Sequence, residues 1–247
     1  MKIIIGWLYP DLMSTYGDRG NVIALNYRLK SRGIKNEILP ISINDDPELV
    51  LIADLLFMGG AQDKQQEIVN KDLIENKGIF LKRKIEEETP GLYVCGAYQF
   101  LGKYYKAADG KVIAGLGIFD LYTESPGIKA KRLIGDLIVQ SPLFKDKKLV
   151  GFENHTGRTF LGKNVSPFAY VLKGYGNNET EKTEGMIYKN SLGTYMHGPI
   201  LPKNPEITDW LIKKAVEIKY QKKVKLKRLN DEIENKAREK ILKFYHL

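Results

Sequence analysis

Gly91-Leu92-Tyr93-Val94-Cys95-Gly96-Ala97-Tyr98-Gln99-Phe100-Leu101 is the stretch whose reading decides the fold. Leu92 to Val94 is a short apolar run that follows Pro90-Gly91, and it reads as a buried strand. A tight turn and a helix come next. Cys95, the one cysteine in the chain, stands at the turn. A nucleophile at the apex of a strand–turn–helix junction is lifted clear of its sheet. A helix N-terminus behind a cysteine favours the thiolate. Gly96 and Ala97 are small enough for the backbone to bend sharply there. The competing reading of Cys95 is a small buried hydrophobe, the commonest state of a free cysteine.

Upstream, Lys2 to Leu8 (KIIIGWL) is a continuous apolar run, the mark of a strand buried on both faces. Asn21 to Arg32 predicts a helix with Val22, Leu25 and Leu29 on one face, and Gly33 stands where a helix ends. Strands are predicted at Glu37 to Ile41 and Ala53 to Met58, the latter ending at Gly59-Gly60. Helices are predicted from about Gln62 and over Leu73 to Glu87. Strands alternating with helices imply α/β architecture with a largely parallel central sheet flanked by helices.

Downstream of Lys103 the texture changes to short β-like runs. These are Val112 to Tyr122, Arg132 to Gln140, Leu149 to Asn154, Phe168 to Gly174, Gly185 to Tyr188 and Ser191 to His197. They are expected to form an antiparallel extension of the same sheet. The division expected is a main domain over 1–205 and C-terminal helices over 206–247 packed on it. Pro205 to Tyr220 and Asp231 to Phe244 carry helical apolar stripes.

At 43% hydrophobic and 28% charged residues, the chain has the make-up of a soluble globule. One cysteine excludes an intrachain disulfide and fits a reducing, cytoplasmic setting. No apolar run is long enough to span a membrane, and the N-terminal run reads as a first strand, not a signal peptide. The net charge of +9 fits a lysine-rich solvated surface, or an anionic partner or membrane surface. Nothing in the chain points to nucleic acid. Lys219 to Arg228 is strongly basic and reads as a solvated face or linker.

A cysteine nucleophile needs a base and a place for negative charge. Of the three histidines, His246 is beside the C-terminus. His197 ends the run Leu192-Gly193-Thr194-Tyr195-Met196-His197, and His155 ends a similar one. Either can be a base, or a hydrogen-bonded structural residue. Gly59-Gly60 after a buried strand is a turn, or a source of backbone N–H groups for an oxyanion. Two such sites at the carboxyl ends of neighbouring strands would share one crevice. Asp18 reads as the N-cap of the Asn21 helix.

These segments resemble the class I, triad-type glutamine amidotransferases. Cys95-Gly96-Ala97-Tyr98-Gln99 is similar to their nucleophile segment, Phe57-Met58-Gly59-Gly60 to their oxyanion loop, and Gly193 to Gly198 to their histidine segment. Common members carry a glutamate two residues after the histidine. Here the residue is Pro199, a departure shared by the cobyric acid synthase-like (CobB/CobQ-type) branch. Tyr16 to Asn21, Gly151 to Arg158 and Leu192 to Lys203 narrow the likeness to glutaminase subunits of that branch that serve a Mur-ligase-like partner in lipid II amidation. Ala97 stands where glycine is usual.

The resemblance implies a flavodoxin-like fold, with Cys95 as nucleophile and His197 as base. Gly60 and Gly96 become oxyanion donors. Gln99 and Arg132 become contacts to L-glutamine, Arg132 through the α-carboxylate; otherwise Arg132 is one more surface cation beside Lys129 and Lys131. With no glutamate after His197, the orienting carboxylate comes either from elsewhere in the chain or from the ligase subunit on docking, and the second is expected. The chain has no phosphate-binding G-x-x-x-x-G-K-[ST] loop and no G-x-G-x-x-G after a strand. No cofactor or metal is expected in it, and ATP and Mg²⁺ are expected on the partner. The alternatives are a glutaminase serving a corrinoid carboxylate and a non-catalytic regulatory subunit.

Overall fold

The computed structural model describes residues 1–61, 63–145 and 147–247. The first half alternates as its apolar runs require. β1 (Lys2–Leu8) leads to α1 (Arg19–Lys30), β2 (Lys35–Ile41), the single turn α2 (Leu49–Ile52) and β3 (Leu55–Met58). Next come α3 (Asp63–Asp72), a π-helical turn over Leu73–Lys77, α4 (Gly78–Glu86), β4 (Gly91–Val94) and α5 (Gly96–Phe100). The helix expected from about Gln62 is α3; Gln62 itself lies outside the described residues.

The second half contains β5 (Tyr104–Lys106), β6 (Val112–Ala114), β7 (Leu121–Glu124), β8 (Leu133–Gln140), β9 (Lys148–His155), β10 (Arg158–Leu161), β11 (Ala169–Lys173) and β12 (Thr183–Glu184). It closes with β13 (Met186–Tyr188), β14 (Ser191–Thr194), α6 (Ile200–Lys203), α7 (Pro205–Tyr220) and α8 (Glu232–Phe244).

The central sheet has the order β13-β14-β4-β3-β1-β2. All its neighbours run parallel except β13, which pairs antiparallel with β14. β3 and β4 are buried along their whole length, as a strand covered on both faces must be. The registers bring Leu8 level with Met58, Met58 with Tyr93, and Val94 with Thr194. The loops after β1, β3, β4 and β14 therefore all leave from one edge, where open α/β sheets place their ligands.

The expected antiparallel extension of one sheet is corrected in one respect. Among the described residues only β13 extends the central sheet antiparallel. The remaining strands form two further sheets, β10-β7-β5-β6 and β12-β11-β8-β9. The reason is saturation of ladders. β8 and β9 pair with each other over all eight of their residues, and β11 takes the other edge of β8. What is left of β9 reaches the central sheet's neighbourhood at one bridge, Phe152 with His197. The run Val112 to Tyr122 breaks into β6 and β7 around Gly115 to Gly117, where Gly117 has φ +61.

α7 buries Ile207, Leu211, Ile212, Ala215 and Val216 in the same apolar core as β1, β3 and β4. α8 is mostly exposed. Arg28 of α1 holds both Asp209 of α7 (2.6 Å) and Asp231 at the head of α8 (2.5 Å).

Asn204, fully buried between α6 and α7, fixes that corner to β9. Its Oδ1 accepts from the Val150 N–H (2.9 Å), and its Nδ2 donates to the Val150 and Ile200 carbonyls (both 2.8 Å). Asn204→Ala would strand a buried N–H and leave two carbonyls short of a donor. A loss of roughly 2–4 kcal/mol is expected in urea unfolding with an unchanged m-value.

Candidate active site

Four segments converge at the carboxyl edge of the central sheet. Cys95 lies between β4 and α5 at φ 52, ψ −108, a conformation that a side-chain-bearing residue keeps only when its surroundings enforce it. The enforcement is visible: its N–H donates to the Thr194 carbonyl of β14 (2.8 Å), and its carbonyl accepts from Gln99 (3.0 Å). Gly193 lets α5 approach, since a Cβ there would lie 2.3 Å from the Tyr98 ring. α5 has only five residues and makes no capping bond to the Cys95 side chain, so the sulfur stands at a short helix start and not at the dipole of a long helix.

His197 is fully buried at the end of the β14 segment. Its backbone exchanges both hydrogen bonds with Phe152 of β9 (2.6 and 3.1 Å). Its Nδ1 lies 3.2 Å from Oδ1 of Asp18. Among the described residues its Nε2 has no hydrogen-bond partner, but the Cys95 side chain is close enough to act on it electrically. Such contacts tighten when substrate binds. Burial works against the imidazolium; the neighbouring Asp18 carboxylate and Cys95 side chain outweigh it, and the group is pushed up to about 10.

Asp18 corrects one expectation and bears on another. It is not a side-chain N-cap: its backbone is already helical (φ −55, ψ −23), and its carboxylate makes no capping bond to α1. Its Oδ2 accepts from the Gly60 N–H (2.7 Å) while Oδ1 faces His197. A carboxylate of this chain thus already faces His197 Nδ1, which is the alternative to the expected carboxylate from a docked partner. The absent glutamate has a physical counterpart too. Pro199 packs on Gly20, where a Cβ would come within 2.4 Å of the proline ring. The Leu201 N–H donates to Asn21 Oδ1 (2.9 Å). Asp18, Gly20 and Asn21 dock in turn against His197, Pro199 and Leu201.

Gly60 occupies the middle of this arrangement. A Cβ there would lie 2.9 Å from the His197 ring and 3.2 Å from Cys95 Cβ. Its N–H is held by Asp18, so it cannot serve an oxyanion without releasing that carboxylate. Gly96 follows the nucleophile directly, and a Cβ on it would meet the Gln66 amide at 2.6 Å.

The cleft beside Cys95 is about 480 Å³ and is lined by Tyr16, Gln99, Arg132, Asn154 and His197 among others. That volume is in the range of small-molecule sites. Gln99 is buried and donates to the Tyr195 hydroxyl (2.9 Å). Arg132 is exposed at the mouth and donates through Nε to Asn154 Oδ1 (2.9 Å).

His155 lines the same cleft but is engaged elsewhere. Its Nδ1 pairs with the Gly157 carbonyl (2.8 Å), its Nε2 lies 3.5 Å from Glu153, and its ring stacks on Tyr195 at 3.6 Å. Burial lowers its pKa, against the pull of Glu153 and Gly157. Among the described residues no group of three or more His, Cys, Asp or Glu could hold a metal ion. Sequence reasoning passed over Tyr16, Asn154 and the role of Asp18. Asp18 was within reach, because the loop after β1 of a parallel sheet must open on the same edge as the loops after β3 and β4.

The chain belongs to the CobB/CobQ-like glutamine amidotransferase family, whose domain model matches residues 4–205. It is 45% identical over 219 residues to the Staphylococcus aureus (strain N315) lipid II isoglutaminyl synthase (glutamine-hydrolyzing) subunit GatD, covering 88% of this chain and 86% of that one. It is 38% identical to the subunit of the same name from Streptococcus pneumoniae, over 93% and 86% of the two chains. A probable cobyric acid synthase from Methanosphaera stadtmanae is 34% identical, over 80% of this chain but 38% of its own length. Among solved structures, a glutamine amidotransferase superposes with a TM-score of 0.60 at 15% identity, covering 86% of this chain and 98% of that one. The glutaminase domain of Trypanosoma brucei CTPS does so with 0.54 at 11% identity, over 91% and 96%. These two distant likenesses bear on the fold, which is that of the glutamine amidotransferases.

The Asp18–His197 pair carries a signed pH dependence. The folded-state pKa of His197 lies above its ordinary 6.5, so the pair's stabilisation is complete below about 6.5 and is lost as pH rises through about 10. Asp18→Asn should lower the His197 titration midpoint seen by NMR. The stability gap between wild type and Asp18→Asn should be wide at pH 6 and shrink toward pH 10; a gap that widened with pH would contradict the pairing.

Proposed function

We propose that this chain is the glutaminase subunit of a lipid II isoglutaminyl synthase. It hydrolyses L-glutamine and hands ammonia to a Mur-ligase-like, MurT-type partner, which amidates the α-carboxyl of D-glutamate in the lipid II stem peptide to D-isoglutamine. What carries the reading is the likeness to two GatD subunits along 86% of their lengths, in a chain where Cys95 and His197 line one cleft and Asp18 lies behind the histidine.

In this reading His197 takes the Cys95 proton, and the sulfur attacks the γ-carboxamide carbon of glutamine. The carbonyl oxygen gains the electron pair and is met by the Gly96 N–H and by the Gly60 N–H, which lets go of Asp18 Oδ2 to reach it. Collapse of the adduct breaks the C–N bond, His197 returns its proton to nitrogen, and ammonia leaves. A water activated by His197 then splits the thioester, giving glutamate and free Cys95. Asp18 holds Nδ1 throughout, so that Nε2 faces the sulfur. Arg132 pairs with the α-carboxylate of glutamine, and Gln99 contacts the substrate from the cleft floor. ATP and Mg²⁺ belong to the partner. The place of work is the cytoplasm or the inner face of its membrane; among the described residues no helix is long and apolar enough to cross one.

A corrinoid acceptor is the second reading, supported by the match to cobyric acid synthases. Coverage weighs against it, since this chain spans 38% of the length of that relative.

His197→Ala should lower glutamine hydrolysis by about 10²–10⁴-fold, the usual worth of general-base catalysis. His155→Ala should cost less and act through packing under Tyr195. Steady-state kinetics of the two variants checks the assignment, and a reversed order would move the base to His155.

Cys95→Ala should abolish amidation driven by glutamine and leave amidation driven by added ammonium, with rescue growing as pH rises and free NH₃ accumulates. Product formation by the assembled subunits, with glutamine or ammonium chloride across a pH series, is the measurement. Failure of ammonium to rescue an intact complex would mean that the chain does more than supply ammonia.

A further inference from the structure

A row of hydrogen bonds crosses the mouth of the cleft. Asn154, near the end of β9, donates from Nδ2 to the Tyr16 hydroxyl (2.8 Å). Its Oδ1 accepts from Arg132 Nε (2.9 Å), and its backbone carbonyl accepts from Arg132 Nη2 (3.2 Å). Tyr16 lies in the loop after β1, and its ring stands edge-on to His197 with centroids 5.1 Å apart. The guanidinium at the mouth, the amide on β9 and the phenol over the base therefore form one connected strap.

Three features set this strap apart from an incidental surface contact. Tyr16 is held at φ 55, ψ 28, a left-handed conformation that an aromatic residue rarely adopts, and it is followed by Gly17 at φ +81. Backbone strain of this kind concentrates where a side chain must be aimed. β9 is itself anchored to the base, because Phe152, two residues before Asn154, exchanges backbone hydrogen bonds with His197. Finally, Arg132 is held by a neutral amide. Among the described residues no carboxylate pairs with it, and its Nη1 has no hydrogen bond. A guanidinium fixed on two of its nitrogens and left uncompensated is ready for an anion from solution.

We propose that Asn154 is a positioning residue for glutamine recognition: it fixes Arg132 so that the guanidinium reads the substrate α-carboxylate, and through Tyr16 it ties that reading to the cover over His197. The inference rests on the proposed glutaminase activity and deepens it. An amide is required at this position. A carboxylate would neutralise Arg132 and compete with the substrate; an alkyl side chain would leave both the guanidinium and the phenol unfixed.

The test compares ammonia release by the full chain, alone and with its partner, from L-glutamine and from L-glutamine methyl ester, whose carboxylate is masked. Cys95→Ala serves as the blank. Wild type should prefer L-glutamine, and Arg132→Ala should collapse that preference. Asn154→Ala should raise KM for L-glutamine roughly tenfold, as loss of a bond to a charged group does, while changing kcat and the ester's KM far less. The isosteric Asn154→Asp should raise KM for L-glutamine at least as much, which guards against misreading a folding defect. Tyr16→Phe should weaken the preference in wild type and add nothing in the Asn154→Ala background. If Asn154→Ala and Asn154→Asp kept the wild-type preference while Arg132→Ala lost it, Asn154 would be no more than structural and the proposal would fall. If Arg132→Ala also kept it, the anchor itself would be misassigned and the proposal would fall with it. A wild-type chain that released no ammonia from glutamine, alone or assembled, would overturn the glutaminase reading first.

Discussion

Asp18, His197 and Cys95 meet around an absent side chain. Gly60 sits between them, and a single Cβ there would press on the imidazole at 2.9 Å and on Cys95 at 3.2 Å. The next glycine is equally constrained, since a Cβ on Gly59 would come within 2.3 Å of the Met13 carbonyl and 3.0 Å of Asp18 Cβ. The loop after β3 is thereby able to pass between the loops after β1 and β4 and still leave the three side chains in reach of one another. A substitution at Gly60 would wedge His197, Cys95 and Asp18 apart.

That convergence depends on a parallel sheet whose neighbouring strands end level. Cys95 keeps its unfavourable φ because the strand beside it, β14, accepts its N–H through Thr194. The same strand then delivers His197 three residues later. Glu184 braces this exit: its Oε1 accepts from the Thr194 hydroxyl (2.6 Å) and from the Tyr195 N–H (2.8 Å). Burial raises the Glu184 pKa to about 7, against the lowering effect of those bonds. Cys95 and His197 are thus fixed relative to each other by one pair of parallel strands.

Much of this was legible in the chain. The run Lys2 to Leu8 is β1 to the residue, and Pro205 to Tyr220 is α7, because each is bounded by clear local signals. The elbow at Cys95 and the histidine segment were read from short motifs whose chemistry is local. What failed was non-local. Asp18 looked like a cap, since an aspartate ahead of a helix usually is one. Its partner is 179 residues away, and only the sheet order brings the two together. The number of sheets was misjudged for a similar reason. Alternating short runs declare strands, but which ladder each strand completes is settled by pairings such as β8 with β9 that sequence spacing does not encode. Gly60 was read as a donor when its more basic contribution is the space it leaves.

The departure at Pro199 then has a structural sense. Where the triad-type enzymes place an acid just after the histidine, this chain has a proline that packs on Gly20, and the carboxylate beside His197 comes from the head of α1. Pro199 rests on Gly20, and Asn21 accepts from Leu201, so the helix that presents Asp18 is clamped to the segment that presents His197 at three successive points. Arg28 and Arg32 extend the clamp at the far end of the same helix by holding Asp209 of α7. An orienting carboxylate supplied in this way is as rigid as the helix that carries it. Asp18 and His197 are fully buried, whereas Tyr16, Asn154 and Arg132 at the cleft mouth are exposed or half-exposed.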